Sequence, residues 1–153
     1  MKQLLEEYST GAQKLAQGIA GLSPEQMRAV PIPGKWSTHQ VVIHLCDAEL
    51  AFADRIKRII AMDNAVLLAW DENGFSSKLN YEKQSAEDAM LLIEATRRQL
   101  TRVLRCQPPE AFSRVGEHSE RGPQTLQVVV EYAIKHLDHH LKFIAEKREK
   151  LMK

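Results

Sequence analysis

Apolar residues recur every three to four positions in four separate segments of this chain, a period typical of amphipathic helices. The segments run from about Lys2 to Ile19, Ser37 to Met62, Ser85 to Leu104 and Thr125 to Lys150. Gly11 is a weak point within the first of them. Strand signals are nearly absent, because no stretch alternates β-branched and polar residues for long. The pattern therefore predicts a mainly helical chain.

The connections between these segments also carry helix signals. Ser23, with Gln26 three residues later, is typical of a capping box and predicts a short extra helix that ends before Pro31. A second short helix is expected before Gly74 interrupts the chain. The connection from Cys106 to Gln124 is long and polar, and we expect it to be a functional or mobile loop.

Amphipathic helices of this kind bury their apolar faces against one another. The sequence therefore predicts an all-α fold class, an antiparallel four-helix bundle with short extra helices in the connections. An up-down order of helices is the simplest, although the second and last connections are long enough to cross over. A chain of 153 residues suits one core, so residues 1–153 are expected to form one domain.

Composition and charge exclude several classes of function. The formal net charge of +1 provides no field for nucleic acid or an anionic membrane, so neither is an expected partner. The longest apolar runs are a few residues, whereas a membrane span needs about 20. The N-terminal stretch MKQLLEEYST carries two glutamates where a signal peptide needs an apolar run. Cys46 and Cys106 are far apart and expected to stay reduced, so we predict a cytoplasmic protein.

Three of the histidines lie in the last predicted helix. With about 100° of rotation per residue, Leu126 and Leu137 mark its buried direction. His140 then lies about 40° from that direction and His136 about 80° to the same side, whereas His139 points well outside. Because residues four apart lie on one helix face, His136 and His140 are placed to reach one metal ion.

The second predicted helix offers a third histidine at an equivalent edge. Val41 and Phe52 mark its buried face, and His44 falls about 60° to one side. Three neutral imidazoles suit a divalent transition metal such as zinc, nickel or iron(II). A closed structural site has four protein ligands, whereas His44, His136 and His140 would leave a coordination position open for water or substrate. The sequence therefore predicts a catalytic type of metal site. The alternative is that they are ordinary bundle residues, since an H-x-x-x-H pair is common by chance.

Other polar residues near the predicted ligands admit more than one role. Asp47 lies one helical turn after the ligand of the second helix, where it is either a carboxylate that orients the imidazole or a solvated side chain. Cys46 faces elsewhere and is expected to be a small core residue. His39 and His118 are expected at the surface or in a loop, and Glu117 is a candidate for the mouth of a pocket.

Two stretches carry a resemblance to a known family. They are GKWSTHQVVIHLCDAE, residues 34–49, and TLQVVVEYAIKHLDHHLKFI, residues 125–144. The first places a tryptophan and a serine before a helix with H-L-x-D-x-E, and the second carries H-x-x-H-H. Together they resemble the DinB-like, or YfiT-like, superfamily of metal-binding bundle proteins. The resemblance implies a four-helix bundle over the whole chain and one metal ion held by His44, His136 and His140.

The resemblance also implies an activity. Family members of known activity include thiol-dependent S-transferases, so we predict a metal-dependent S-transferase that uses a low-molecular-weight thiol as a small-molecule substrate. Members often dimerise, and a homodimer is expected. Lys35 or Arg55 is a candidate for holding the carboxylates of the thiol. Metal-dependent hydrolysis, with Asp47 or Glu117 as the base, is one alternative. A non-catalytic, stress-related binding protein is the other.

Overall fold

The structure of the chain is a computed structural model that describes residues 1–152. No helix in that range is long and apolar enough to cross a bilayer. The helices are α1 (Lys2–Ser9), α2 (Gly11–Ile19), α3 (Pro24–Arg28), α4 (Thr38–Ala61), α5 (Glu72–Lys78), α6 (Ala86–Arg105) and α7 (Leu126–Leu151), with 3-10 helices at Tyr81–Lys83 and Pro109–Ser113. The strands are β1 (Ala65–Leu67), β2 (Val115–His118) and β3 (Gly122–Thr125).

Four helical segments form the bundle, which confirms the predicted fold class. α1 and α2 pack against α6 and α7, and α4 packs against the same two helices. Ile43 clusters with Ile93 at one end of the core, and Ile56 clusters with Leu104 at the other, so α4 and α6 run parallel. The connection between these helices, residues 62–85, therefore crosses over along the length of the bundle, and the order of helices is not the simple up-down one.

The first predicted helix, Lys2 to Ile19, is interrupted at Thr10. α1 ends at Ser9 and α2 begins at Gly11, although Thr10 keeps a right-handed helical backbone. A Cβ atom at Gly11 would collide with the guanidinium of Arg97. The glycine that weakens the helix in sequence thus makes room for a buried arginine.

That arginine anchors a polar network inside the bundle. Arg97 is 2% exposed, and its guanidinium lies 2.8 Å from Oε2 of Glu49, which is 3% exposed. It also donates to the carbonyl oxygens of Tyr8 at 3.0 Å and Ala133 at 3.2 Å. The Tyr8 hydroxyl donates to Oε1 of Glu49 at 2.6 Å, and burial raises the pKa of Tyr8 well above its usual value. The network therefore joins α1, α4, α6 and α7.

Two connections contain short strands, so the expected near absence of strands is wrong there. β1 pairs in parallel with β2, with Leu67 opposite His118, and β2 pairs antiparallel with β3. Strands of three or four residues are too short to display a period of two, and β3 contains Pro123. The segment from Cys106 to Gln124, expected to be a loop, therefore holds a 3-10 helix and most of two strands.

His39 and His118 are both buried, so their expected surface position is wrong. His39 is 4% exposed and donates from Nε2 to the carbonyl oxygen of Tyr81 at 3.1 Å. His118 is 3% exposed and lies in β2, where its Nδ1 accepts a hydrogen bond from the backbone N–H of Glu120 at 3.2 Å. Both side chains are covered by the 3-10 helix or the sheet, neither of which the sequence predicted.

Candidate metal centre

Three histidine side chains from two helices converge at the interface of α4 and α7. His44, His136 and His140 each offer a ring nitrogen, and these nitrogens lie within 4.8 Å of one another. Nε2 of His44 lies 3.1 Å from Nε2 of His136. The three ring centroids are 4.7 to 5.0 Å apart. The structure thus brings together the three residues that the sequence selected, and it leaves His139 exposed.

Aromatic side chains support the ring of His44. His44 is fully buried, whereas His136 and His140 are half-buried. The rings of Trp36 and Trp70 contact His44, with ring centroids 4.9 and 5.5 Å away, and the Trp70 ring is stacked on it. These indoles limit the orientations that the His44 imidazole can adopt and shield it from water.

Burial keeps all three imidazoles neutral. Removal from water lowers the pKa of His44 and of His136 to about 4, and that of His140 to about 3. Repulsion from neighbouring histidines lowers each pKa further. A neutral imidazole has a free lone pair on one nitrogen, and this is the form that binds a metal ion.

We expect the metal-free protein to lose stability as the pH falls from about 6.5 to about 4. In that window His44, His136 and His140 take up protons in the unfolded chain, while their lowered pKa values keep them neutral in the folded state. The free energy of unfolding therefore decreases towards acidic pH. Urea unfolding over this pH range, with a chelator present, measures the effect. His140→Gln should flatten the dependence, and an unchanged slope in that variant would contradict this cause.

The cluster fits a divalent transition ion. Nε2 of His44 and Nε2 of His136 lie 3.1 Å apart, a separation at which both could bind one ion about 2.0–2.1 Å away. Three imidazoles are also the donor set that zinc, nickel, copper and iron accept.

The remaining residues of the H-L-x-D-x-E segment point in other directions. Asp47, expected to orient an imidazole or to be solvated, accepts a hydrogen bond from the hydroxyl of Tyr81 at 2.6 Å. Burial and this bond raise the pKa of Tyr81. Cys46 is a core residue as predicted, 6% exposed, and burial raises the pKa of its thiol to about 11. Glu49 belongs to the network of Arg97.

Two pockets flank the three histidines. The first, of about 880 Å³, is lined by His136 and lies beside the sheet and the start of α5; we call it the His136 pocket. The second, of about 240 Å³, is lined by His140 and lies between the segment before α4 and the end of α7; we call it the His140 pocket. The cluster is therefore accessible from two sides.

The His136 pocket contains both residues that the sequence suggested and residues that it did not. Arg55 lines it but is only 5% exposed and donates to the carbonyl oxygen of Leu68 at 2.6 and 3.2 Å. Within residues 1–152, no carboxylate lies within 4.0 Å of the Arg121 guanidinium. The charged residues lining the pocket are Arg55, Asp71, Glu72, Glu120, Arg121 and Lys135.

The other two residues proposed for a pocket mouth have different positions. Lys35 is exposed and lines the His140 pocket. Glu117 is exposed on β2 and lines neither pocket, so its expected position is wrong. Sequence reasoning missed Trp70, Arg121 and His118 as pocket residues. All three lie in connections that fold back onto the bundle together with the sheet. A tryptophan in a connection was the one sequence feature that could have indicated a pocket there.

Comparisons with known proteins agree with the fold. The model of the DinB superfamily matches residues 7–144. A protein of Oceanobacillus iheyensis is 28% identical over 130 residues, 85% of this chain and 75% of that protein. YfiT of Bacillus subtilis is 24% identical over 145 residues, 94% of this chain and 80% of that protein. Both are provisionally named metal-dependent hydrolases. A solved structure of YfiT, described as a four-helix bundle of unusual topology, matches with a TM-score of 0.90 at 20% identity and covers 98% of this chain and 86% of that chain.

Proposed function

The chain belongs to the DinB superfamily, and from that membership and its three-histidine cluster we propose that it is a metal-dependent enzyme. His44, His136 and His140 are the residues that would hold one divalent transition ion. The convergence of these neutral imidazoles beside an open pocket carries the proposal. Such an ion, when bound, lowers the pKa of a coordinated thiol or water molecule and so supplies a nucleophile near neutral pH.

The reaction that we propose is transfer of a low-molecular-weight thiol to a small electrophile. A sulfur–carbon bond forms, the leaving group departs with its bonding electrons, and the thiol proton passes to solvent. Arg121, which lines the His136 pocket and has no carboxylate partner within the described chain, supplies a cation for a carboxylate of the thiol. Trp70 and Phe52 provide apolar contacts in the same pocket, which limit the entry of water.

The two carboxylates that the sequence suggested as a base for hydrolysis are not placed for that role; Asp71, Glu72 and Glu120 are the carboxylates that line the His136 pocket. The two residues considered as a base for hydrolysis are Asp47, which is bonded to Tyr81, and Glu117, which lies outside both pockets. A thiol whose pKa is already lowered needs no neighbouring base. Metal-dependent hydrolysis is the second candidate, because the relatives from Oceanobacillus iheyensis and Bacillus subtilis carry that provisional name.

We expect metal-loaded protein to accelerate the conjugation of glutathione, bacillithiol or mycothiol with chlorodinitrobenzene. The absorbance of the thioether product measures the rate. Arg121→Ala should raise KM for the thiol about tenfold and leave kcat little changed, because it removes a contact made equally before and during the reaction. Arg98→Ala is the matched control, since Arg98 is exposed on α6 and lines neither histidine pocket.

The same preparation separates the two candidates. Hydrolysis of ester or phosphate substrates in the absence of any thiol, together with no conjugation, would replace the transferase proposal by the hydrolase. Conjugation that is lost when the metal is removed by a chelator would support the transferase.

A further inference from the structure

Lys147 is a buried lysine for which the proposed reaction has no role. The residue lies on α7, two turns beyond His140, and is 3% exposed. Within residues 1–152, no acceptor lies within hydrogen-bonding distance of its ammonium group and no carboxylate lies within 4.0 Å. Lysine is rarely this buried without a partner. Its ammonium nitrogen is not among the unpaired atoms of the described residues that are shut off from solvent, so it opens into the adjoining pocket.

The side chain of Lys147 lines the His140 pocket, whose walls are mainly apolar. Trp36, Val41 and Phe143 form three of these walls. The pocket has a volume of about 240 Å³. The pocket therefore has room for a small organic molecule, and it places an ammonium group beside apolar surface.

The other charged residues of the His140 pocket leave it with a net positive charge. Lys35 and Glu146 are both exposed and line the pocket together with Lys147. Lys147 and Lys35 contribute two positive charges against the one negative charge of Glu146. Burial lowers the pKa of Lys147, while the smaller effects of Glu146, which raises it, and of Lys35, which lowers it, oppose each other.

We propose that the His140 pocket is a second ligand site that binds a small apolar carboxylate, with the ammonium group of Lys147 as the partner of the carboxylate. The apolar body would contact Trp36 and Phe143, and the carboxylate would pair with the ammonium group in place of the water that reaches it. Charge complementarity and the apolar walls together select this ligand class over an uncharged or a highly polar one.

The position of this pocket also suggests which substrate it binds, and that assignment rests on the proposed transferase function. The His136 pocket and the His140 pocket approach the same three histidines from different sides. A transferase needs two substrates at one centre, so we assign the thiol to the His136 pocket and a carboxylate-bearing electrophile to the His140 pocket. The binding of a carboxylate at Lys147 does not itself depend on any reaction.

Binding of benzoate to the protein as purified tests the proposal. The indole N–H signals of the two tryptophans report separately, because Trp36 lines the His140 pocket and Trp70 the His136 pocket. In a titration followed by nuclear magnetic resonance, benzoate should shift the Trp36 signal. Lys147→Met should lower the affinity for benzoate at least tenfold, and Lys147→Arg should retain most of the wild-type affinity. Benzyl alcohol, the uncharged probe, should bind wild type and Lys147→Met equally.

Lys135→Met, at the His136 pocket, should leave benzoate affinity within about twofold, since it removes a lysine from the other side. Equal benzoate affinity in wild type and Lys147→Met, a shift confined to Trp70, or no binding to wild type would each overturn the proposal. Lys147→Gln replaces Lys147→Met if the latter does not fold. Benzoate binding without thiol transfer would support this site while contradicting the proposed function.

Discussion

Alanine at His44, His136 or His140 should lower the affinity of the protein for a divalent transition ion by about a hundredfold. Binding of such an ion is worth about 10 kcal/mol or more, so losing one ligand of three costs on the order of 3 kcal/mol. Elemental analysis of protein purified without a histidine tag should give about one ion per chain for wild type. Each single variant should lose most of that metal during dialysis, and competition with a chelator dye would give the change in affinity.

The control for this experiment is His139→Ala. His139 is exposed and lies next to a predicted ligand, but it is not part of the cluster. The variant therefore tests whether metal binding depends on the cluster or only on the number of histidines nearby. Full metal content in this variant, together with loss in the other three, is the expected result. No metal in wild type after reconstitution would mean that the three histidines are ordinary bundle residues.

Replacement of Arg97 by methionine should lower the free energy of unfolding by about 3–5 kcal/mol. The substitution keeps most of the side-chain volume but removes the guanidinium that lies 2.8 Å from Glu49. A buried carboxylate then remains with the Tyr8 hydroxyl as its neighbour and without a countercharge. The carbonyl oxygens of Tyr8 and Ala133 also lose a donor. Urea unfolding followed by circular dichroism measures the loss.

Arg98 provides the matched control for this second experiment. Arg98 follows Arg97 on α6 and pairs with Glu94 at 3.2 Å, but both side chains are about 60% exposed. Arg98→Met should therefore change the free energy of unfolding by less than about 1 kcal/mol. The double variant Arg97→Met with Glu49→Leu should recover much of the stability, because no unpaired charge is left. A loss below about 1 kcal/mol for Arg97→Met would show that the network adds little to stability.

The helical periods in the sequence predicted the fold class and placed the three histidines at the edges of the buried faces, whereas their convergence on one metal ion was implied by the family resemblance. Direction around a helix depends only on the number of residues between two positions, so His136 and His140 could be placed on one edge without coordinates. The same reasoning placed His44 on the matching edge of its helix. The structure brings these residues together because α4 and α7 pack through the faces that the apolar stripes define.

The chain by itself thus determined which residues share a helix face, and the tertiary structure alone decided what each of them contacts. Asp47 and Glu49 belong to one short segment, yet one accepts from Tyr81 and the other pairs with Arg97. Their partners lie 34 and 48 residues away. The burial of His118 and Lys147 likewise depends on the sheet and on the segment before α4. Helical period is a local property of the backbone, whereas burial and pairing depend on how distant segments pack.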